Sequence, residues 1–519
     1  MEKNTILWAD DEMELLKPHI LFLTGKGYEV ITAVSGDEAL DVVRENRNID
    51  AVLLDENMPG ITGLETLTKI KQLRSDLPVI MITKSEEEHI MDDAIGGKIA
   101  DYLIKPVNPK QILLTIKKLT DNKRLVSEKT STAYQQDFRN LGMLLNDNLS
   151  YQEWVDVYKK LIFWELELEK LDDAGMHEIL TMQKAEANAQ FSKFIEKNYL
   201  EWIKNQDKAP MMSHQLLRKK VFPNLSEQVP TFFILIDNLR YDQWKIINPI
   251  ITEYFRLEEE DTYYSILPTA TQYARNAIFA GMMPSDMEKR FPGLWQNDED
   301  EGGKNLSEDK FLFDNVKRSV RKDAKVSYHK ILNQDQGKDL NESLHSLMTN
   351  DLNAIVYNFV DMLSHARTDM QMIKELANDD AAYRSITLAW FEHSPLLDLI
   401  KRLSQKKCRL MITTDHGTIR VKRPSKVIGD RNTNSNLRYK QGKNLDYNPK
   451  EVFLVKNPAD AMLPKLHVSS SYIFAKEDSY FVYQNNYNQF VNYFNETFQH
   501  GGISMEEIII PFVTYKNKF

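Results

Sequence analysis

Three aspartates in the second half of the chain each follow a run of apolar, strand-forming residues. They are Asp237, Asp361 and Asp415; His416 comes directly after the third, and His365 lies four residues after the second. Carboxylates at the ends of buried strands are costly unless they are paired, hydrated or bound to a metal ion. A turn of helix would bring Asp361 and His365 to one side, and carboxylate together with imidazole suits Zn²⁺. The pattern therefore predicts a metal site.

Two more residues join this set. His500 precedes two glycines, and Thr271 stands at or near the predicted start of a helix. Taken singly, Thr271 is equally well explained as a helix N-cap, and each histidine as a partly buried, hydrogen-bonded side chain. The aspartates also have structural explanations one at a time. As an ordered set, however, three aspartates, three histidines and a hydroxyl supply enough ligands for two metal ions.

The elements that must position these residues are buried strands. Apolar runs predict strands at residues 231–236, 354–360, 409–414 and 508–511, and the first three of these end at the aspartates. A helix is predicted over residues 272–280, directly after Thr271. Ligands of open α/β sheets bind beyond the carboxyl ends of the strands. We therefore expect the candidate ligands to meet at one edge of a sheet.

The first 120 residues carry a second set of polar groups at strand ends. These groups are Asp10 and Asp11 after the first strand, Asp55 after the second, Thr83 after the third and Lys105 after the fourth. Helical patterns separate the strands, which predicts a doubly wound parallel sheet with these groups at one edge. Crowded carboxylates repel one another, and Mg²⁺ accepts oxygen ligands. The ammonium and the hydroxyl are then placed to hold a phosphoryl group on Asp55.

On these residues, positions 1–121 resemble a response-regulator receiver domain. The resemblance implies that Asp55 is the phosphoacceptor. The Mg²⁺ ligands that it implies are Asp10, Asp11, Asp55 and the main-chain carbonyl of Asn57. The switch residues that it implies are Thr83, Tyr102 and Lys105, with a cis peptide bond before Pro106.

The second half resembles the alkaline phosphatase superfamily, and within it the PglZ-type domain, through its ordered ligands and Pro268-Thr269-Ala270-Thr271. The resemblance implies two Zn²⁺ ions, one of them bound by Asp361, His365 and His500. The ligands that it implies for the other are Asp237, Asp415, His416 and the oxygen of Thr271. It makes Thr271, rather than Thr269, the nucleophile. A threonine hydroxyl bound to a dication has a lowered pKa, and its attack on phosphorus gives a covalent phosphothreonine.

Composition excludes several classes of protein and of binding site. The chain has 66 basic and 76 acidic residues, a net charge of −10, which argues against broad electrostatic binding to duplex nucleic acid. Neither a helix–turn–helix unit with a basic recognition helix nor zinc-finger spacing occurs, so we expect no duplex-DNA-binding domain. A single cysteine, Cys408, excludes an intramolecular disulfide and a thiolate metal cluster. Without a signal peptide or a membrane-spanning apolar run, the protein is expected to be soluble and cytoplasmic.

The middle of the chain, residues 122–221, is rich in Leu, Glu, Lys, Gln and Ala with helical spacing. It is interpreted as a rigid spacer, a dimerisation bundle or another small domain, and no chemistry is assigned to it. The sequence thus predicts three parts: a receiver at 1–121, an all-α connector at 122–221 and an α/β domain of the alkaline phosphatase superfamily at 222–519.

A basic stretch between Arg420 and Lys443 follows the Asp415-His416 pair and is expected near the mouth of the site. Two interpretations are open: the stretch binds the backbone of a short oligonucleotide, or its basic side chains are simply solvated at the surface. Arg275, one helical turn beyond Thr271, would reach the phosphate or pair with an acid. The candidate substrate contacts are Arg275, Arg431, Asn432 and Arg438.

The order of receiver, helical middle and PglZ-like domain resembles PorX-type response regulators over the full length. That resemblance implies a cytoplasmic regulator of type IX secretion, paired with a sensor histidine kinase, that dimerises when phosphorylated. It also implies a zinc-dependent phosphodiesterase acting on short cyclic or linear oligonucleotides. The alternative is a non-catalytic adaptor, in which phosphorylation exposes a surface for a secretion motor component or a sigma factor. The intact ligand set favours the enzyme.

Overall fold

The computed structural model of the protein describes residues 4–46, 48–84, 99–171, 174–298, 300, 303–320, 323–430, 433–484 and 486–518. The chain forms two compact units, Met1–Gln136 and Asp137–Phe519, named unit 1 and unit 2. The predicted helical connector, residues 122–221, is divided between them, because everything after Gln136 belongs to unit 2. Within the described residues, no helix has the length and apolar composition needed to cross a bilayer.

Unit 1 contains five parallel strands in the order β2-β1-β3-β4-β5. The strands are β1 Thr5–Ala9, β2 Glu29–Ala33, β3 Ile49–Asp55, β4 Val79–Thr83 and β5 Asp101–Ile104. The helices are α1 Met13–Gly25, α2 Gly36–Glu45, α3 Gly63–Leu73 and α4 Pro109–Leu144, the last of which extends into unit 2. Alternate strand residues face opposite layers: Leu7 and Val52 pack in one core, Ile6 and Leu53 in the other. The predicted doubly wound sheet is confirmed.

Unit 2 is built on a mixed six-stranded sheet in the order β7-β18-β10-β6-β9-β8. Its strands are β6 Thr231–Ile236, β7 Phe255–Tyr264, β8 Val326–Ile331, β9 Leu352–Tyr357, β10 Arg409–Thr413 and β18 Ile509–Asn517. Strands β10, β6, β9 and β8 are parallel, whereas β18 is antiparallel to both of its neighbours. Every residue of β6 and β9 is buried, as their continuous apolar runs require of strands covered on both faces.

Smaller strands and many helices complete unit 2. The strands are β11 Ile419–Arg420, β12 Arg423–Val427, β13 Tyr439–Gly442, β14 Val452–Val455, β15 Ser471–Ala475, β16 Ser479–Tyr483 and β17 Phe498–Gln499. The helices are α5 Tyr151–Leu168, α6 Ala174–Lys204, α7 Tyr241–Tyr254, α8 Thr271–Ala280, α9 Pro284–Arg290, α10 Glu308–Ser319, α11 Gln334–Glu342, α12 Leu344–Leu347, α13 Phe359–Asp369, α14 Gln371–Leu376, α15 Asp380–Glu392, α16 Pro395–Ser404, α17 Tyr487–Phe494 and α18 Met505–Ile508.

Helices α5 and α6, which come from the predicted connector, pack into unit 2 through their apolar faces. The ring of Trp154 on α5 lies 5.4 Å from that of Phe191 on α6. Trp202, near the end of α6, lies 5.7 Å from Tyr264 at the end of β7. These helices therefore contribute to the core of the output unit and are not a free spacer.

Two local details differ from the sequence prediction. The strand predicted at 354–360 ends at Tyr357, and Asp361 lies instead in the first turn of α13. Thr271 is the first residue of α8, and the N-cap position is occupied by Ala270, so Thr271 does not serve as the cap. Gly281 ends α8 with a φ of 62°, a left-handed conformation that favours glycine.

Candidate two-metal site and receiver site

The hydroxyl of Thr271 lies at the centre of a buried cluster in unit 2. Its Oγ1 atom is 3.0 Å from Nε2 of His416 and 3.4 Å from Oδ1 of Asp237. Asp237, Asp415 and His416 are fully buried, and one ligand atom of each lies within 4.8 Å of the others. Because β6 and β10 are adjacent parallel strands, their carboxyl ends deliver Asp237 and Asp415 to the same place.

A second cluster joins Asp361, His365 and His500, again with ligand atoms within 4.8 Å of one another. Oδ2 of Asp361 is 3.5 Å from Nε2 of His365, four residues along α13, and Oδ1 is 3.8 Å from Nε2 of His500. The two clusters are neighbours, since the rings of His416 and His500 stack with centroids 4.4 Å apart. The structure thus brings together all seven residues that the sequence nominated.

Hydrogen bonds from the ring nitrogens orient two of the histidines. Nδ1 of His416 lies 3.1 Å from the carbonyl of Gly417, and Nδ1 of His500 lies 3.3 Å from the carbonyl of Thr269. A carbonyl only accepts, so Nδ1 carries the hydrogen in each ring and the Nε2 lone pair faces the cluster. Metal-binding histidines usually donate the N–H of their second ring nitrogen to an acceptor in this way.

The pKa values of the clustered side chains reflect their burial and their close spacing. Burial, and then the nearby Asp237, raise the pKa of Asp415, and the same two causes raise the pKa of Asp361 to about 6. Burial, followed by His416, lowers the pKa of His500 well below its ordinary value. Among the described residues, Oδ2 of Asp415 has no hydrogen-bond partner. Acidic oxygens and neutral imidazoles gathered in this way suit divalent cations such as Zn²⁺.

Arg275 forms an ion pair with one of these carboxylates, that of Asp237. Its guanidinium is 1% exposed and donates to Oδ2 of Asp237 at 2.6 Å and to Oε1 of Glu308 at 2.5 Å. Glu308 also accepts from Tyr328 at 2.6 Å and Lys330 at 3.0 Å. Of the two alternatives predicted for Arg275, the structure shows the pairing with an acid, and this pairing positions Asp237.

Arg438 likewise has a supporting role in place of the predicted substrate contact. It is fully buried and donates to both carboxylate oxygens of Glu507, at 3.1 and 2.6 Å. Glu507 in turn accepts from the backbone N–H of Gly502 at 2.9 Å. Arg438 and Glu507 therefore brace the loop that carries His500, two residues before Gly502.

The same loop explains the role of Thr269. Its buried hydroxyl donates to the carbonyl of Gly502 at 2.9 Å and accepts from the N–H of Gly501 at 3.0 Å. Thr269 therefore ties the Pro-Thr-Ala-Thr segment to the His-Gly-Gly loop, and it is the hydroxyl of Thr271 that contacts the ligand cluster.

Three of the seven described basic residues between Arg420 and Lys443 form ion pairs, and one of these three is Arg438. Arg420 pairs with Glu496, and Arg423 with Glu477 and Asp478. The buried Lys440 donates to the carbonyl of Asn434 at 2.8 Å, and burial lowers the pKa of its ammonium to about 7. The remaining predicted contacts, Arg431 and Asn432, lie outside the described residues.

Glu308, Glu507 and Thr269 support the site but were missed by the sequence analysis. Glu308 is 33 residues from Arg275, and Glu507 is 69 residues from Arg438. A lone Glu at the start of a helix looks the same whether it caps the helix or holds a buried arginine. Of these three residues, Thr269 could have been identified from the sequence, because it lies in the same motif as Thr271.

Unit 1 carries the predicted receiver site at the carboxyl ends of β1 and β3. Oxygens of Asp10, Asp11 and Asp55 lie within 4.8 Å of one another. Nζ of Lys105 is 2.8 Å from Oδ2 of Asp10 and 2.9 Å from Oδ1 of Asp55. Burial raises the pKa of Asp55, although Lys105 acts in the opposite direction. Three crowded carboxylates again match the oxygen ligands that Mg²⁺ takes.

The other predicted receiver residues surround this cluster. Thr83 is buried at the end of β4, whereas Tyr102 on β5 is 37% exposed. Asn57 is exposed, two residues beyond Asp55. The Lys105-Pro106 peptide bond is cis, as the resemblance implied.

Comparison with known families matches the whole arrangement. Residues 6–117 match the response regulator receiver domain, residues 124–203 the PorX response regulator linker domain, and residues 216–515 the BREX system PglZ alkaline phosphatase-like domain. The chain is 28% identical over 153 residues to the transcriptional regulatory protein SrrA of Staphylococcus aureus. That match covers 30% of this chain and 63% of SrrA.

Solved receiver structures are also similar to the N-terminal part. One is a CheY-like receiver domain protein from Methanospirillum hungatei JF-1, 30% identical, covering 24% of this chain and 98% of that one with a TM-score of 0.23. Another is a receiver domain protein from Clostridium thermocellum, 32% identical, with the same coverages and a TM-score of 0.23.

The fold and the two sites define a response regulator whose output is an alkaline phosphatase-like domain. The chain belongs to the PglZ alkaline phosphatase-like family, and its three domains follow one another as in PorX-type response regulators.

Proposed function

We propose that unit 2 is a two-zinc phosphodiesterase that cleaves short cyclic or linear oligonucleotides with Thr271 as the nucleophile. The observation that carries the proposal is the position of the Thr271 hydroxyl, within 3.4 Å of both Asp237 and His416. Asp237, Asp415 and His416 would hold one ion beside that hydroxyl. Asp361, His365 and His500 would hold the other.

Bound dications supply Lewis acidity, which lowers the pKa of a coordinated hydroxyl and stabilises charge on phosphoryl oxygens. Thr271 loses its proton to solvent, its Oγ1 forms a bond to phosphorus, and the bond from phosphorus to the leaving oxygen breaks as that oxygen takes up a proton from solvent. Water then attacks phosphorus and gives up a proton, the bond from phosphorus to Oγ1 breaks, and Oγ1 takes up a proton to restore the hydroxyl. Thr271 begins α8, so the N–H groups of the first helical turn place partial positive charge beside the phosphoryl oxygens.

The surroundings of the cluster favour a diester over a monoester. A monoester carries an additional negative charge, which a monoesterase must balance with further cationic groups. Arg275, the arginine nearest to Thr271 in the sequence, is neutralised by Asp237 and Glu308 and is buried away from solvent. The oligonucleotide class itself rests on the PorX-type architecture.

Regulation by the receiver completes the proposal. Phosphorylation of Asp55 by a sensor histidine kinase, with Mg²⁺ held by Asp10, Asp11, Asp55 and Asn57, favours a homodimer and tunes hydrolysis. In the cell this activity serves the control of type IX secretion. The switch residues are Thr83, Tyr102 and Lys105.

The test combines metal analysis with hydrolysis of bis-p-nitrophenyl phosphate and p-nitrophenyl phosphate by the full-length protein. We expect about two zinc ions per chain and turnover of the diester that is lost in Thr271→Ala but not in Asp55→Ala. Bound zinc without turnover of either compound would reject the enzyme. Faster turnover of the monoester would reject the diesterase assignment alone.

A second candidate is a phosphorylation-switched adaptor that docks on a secretion motor component or a sigma factor. Exposed apolar side chains favour it, since Phe163 on α5 is 51% and Met182 on α6 is 67% exposed. Thr271→Ala separates the two functions in cells. Secretion that survives this substitution supports the adaptor, and secretion that is lost supports the enzyme.

A further inference from the structure

A cavity of about 600 Å³ lies where the turn before α5 meets helix α6 and the segment that follows it. Its lining comes entirely from residues between Leu145 and Lys208, so it includes none of the candidate metal ligands. The volume is in the range of about 300–1,000 Å³ that small-molecule sites occupy. Nothing in the proposed hydrolysis uses this cavity.

Aromatic rings form one wall of the cavity. The ring of Phe194 lies 5.9 Å from that of Trp154 and 5.4 Å from that of Trp202, and Tyr151 lines the same space. Trp154 is 3% exposed, and its indole N–H finds no hydrogen-bond acceptor in the described part of the chain. A buried indole N–H normally has a partner. Trp154 and Trp202 are buried, whereas Tyr151 and Phe194 are partly exposed and offer ring faces on which a flat ring can stack.

Positive charge in the same lining selects an anion. Lys193 and Lys197, one helical turn apart on α6, line the cavity together with Lys208. Asp147 is the one acid in the lining, so the cavity has a net charge of +2 in a chain whose net charge is −10. Among the described residues, none of the three lysines has a carboxylate within ion-pair distance, whereas the arginines of unit 2 discussed above are all paired.

We propose that this cavity binds a nucleoside monophosphate, with the base stacked on the aromatic wall and the phosphate held by the lysines. Asn148 and Asn198 line the same space and offer amide groups to the edge of the base. The site is separate from the metal cluster and stands whether or not unit 2 is a phosphodiesterase.

Isothermal titration calorimetry on the full-length protein tests the proposal with AMP, GMP, CMP and UMP as separate probes. The protein is stripped of metal by chelation and carries Thr271→Ala, so that binding at the metal cluster is suppressed. We expect at least one mononucleotide to bind, and the double substitution Lys193→Gln and Lys197→Gln to raise its Kd about tenfold or more. Lys204→Gln, on an exposed α6 residue outside the cavity, is the matched control and leaves Kd unchanged.

Two further probes divide the ligand into its halves. The nucleoside of the mononucleotide that binds has the base without the charge, and ribose 5-phosphate has the charge without the base. Both are expected to bind about tenfold or more weakly than that mononucleotide. Equal affinity for ribose 5-phosphate would overturn base stacking, and the absence of binding by all four mononucleotides at about 1 mM would overturn the site. Binding seen only in the metal-loaded protein, and insensitive to the lysine variants, would place the nucleotide at the metal cluster and overturn it equally.

Discussion

Nε2 of His416 lies 3.0 Å from Oγ1 of Thr271, whereas the hydroxyl of Thr269, two residues earlier, is turned to Gly501 and Gly502. The two threonines of one short motif therefore have different tasks. Thr271 faces the cluster of ligands, and Thr269 holds the loop that carries His500. This division predicts two distinct mutant phenotypes.

Replacing Thr271, the proposed nucleophile, should abolish hydrolysis and leave the fold intact. Thr271→Ala is expected to lower kcat for bis-p-nitrophenyl phosphate by about 10³-fold or more, because the variant lacks the hydroxyl that lies against both Asp237 and His416. Its zinc content should match the wild-type protein. Thr68→Ala, on an exposed face of α3, is the control and should retain full turnover. Residual activity of Thr271→Ala near the wild-type value would show that the nucleophile lies elsewhere.

Thr269→Val should act through the metal site instead. The N–H of Gly501 loses its acceptor and the carbonyl of Gly502 loses its donor, so the loop of His500 is held less firmly. We expect weaker zinc retention in competition with a chelator, with kcat restored when zinc is in excess. Unchanged zinc retention together with a loss of kcat that zinc does not restore would instead assign Thr269 to the chemistry.

The buried pair of Arg438 and Glu507 predicts a large effect on stability. Arg438→Met leaves the Glu507 carboxylate buried without its guanidinium, which costs about 3–5 kcal/mol of unfolding free energy. Arg423→Met breaks an ion pair whose arginine side chain is 53% exposed, and there we expect about 1 kcal/mol or less. Urea unfolding followed by tryptophan fluorescence measures both. Equal costs for the two variants would refute the supporting role of Arg438.

Of the six strands in the main sheet of unit 2, the sequence predicted β6, β9, β10 and β18, which are apolar runs. It missed β7 and β8, most of whose residues are exposed or only partly buried. Neighbouring parallel strands end at the same edge, so residues as distant as Asp237 and Asp415 meet without any local signal between them. In unit 1 the sequence predicted four of the five receiver strands and missed β2 Glu29–Ala33, in which only Ala33 is buried.

The partners of the buried arginines were not predictable. Arg275 was a candidate substrate contact because it lies one helical turn beyond Thr271, and Arg438 because it belongs to the basic stretch after His416. Glu308 and Glu507 reach them only through the tertiary fold. Likewise, helical periodicity in α5 and α6 shows that one face is buried but not what covers it. The structure shows that face packed into unit 2.

Packing of the middle helices also determines how signal transmission should be tested. Removing α5 and α6 to abolish phosphorylation-dependent dimerisation would strip Trp154, Phe191 and Trp202 from the core of unit 2. The informative change is therefore at the receiver site. Asp55→Ala should abolish incorporation of label from radioactive acetyl phosphate in the presence of Mg²⁺, because the acceptor carboxylate beside Lys105 is gone.

Chelation of Mg²⁺ should abolish the same labelling in the wild-type receiver, since the acidic cluster then has no cation to balance an incoming phosphoryl group. Asp76→Ala, on an exposed loop of unit 1, is the matched control and should be labelled normally. Labelling that persists in Asp55→Ala would move the phosphoacceptor to another residue.

His214 predicts a dependence of unit 2 stability on pH. Burial, followed by the charge of Lys219, lowers the pKa of its imidazole from 6.5 to about 4, and neither ring nitrogen has a hydrogen-bond partner within the described residues. The native state therefore keeps this ring neutral, while the unfolded chain takes up a proton below pH 6.5. The contribution of His214 is fully present above that pH and is lost progressively as the pH falls toward about 4.

A shift from 6.5 to about 4 corresponds to about 3 kcal/mol of unfolding free energy. We expect His214→Phe to remove this part of the acid destabilisation, so that its unfolding free energy falls less steeply than that of the wild-type protein between pH 6.5 and about 4. His345→Phe, at an exposed histidine on α12, should keep the wild-type slope. Urea unfolding at several pH values measures the difference, and parallel curves for His214→Phe and the wild-type protein would contradict a buried neutral imidazole.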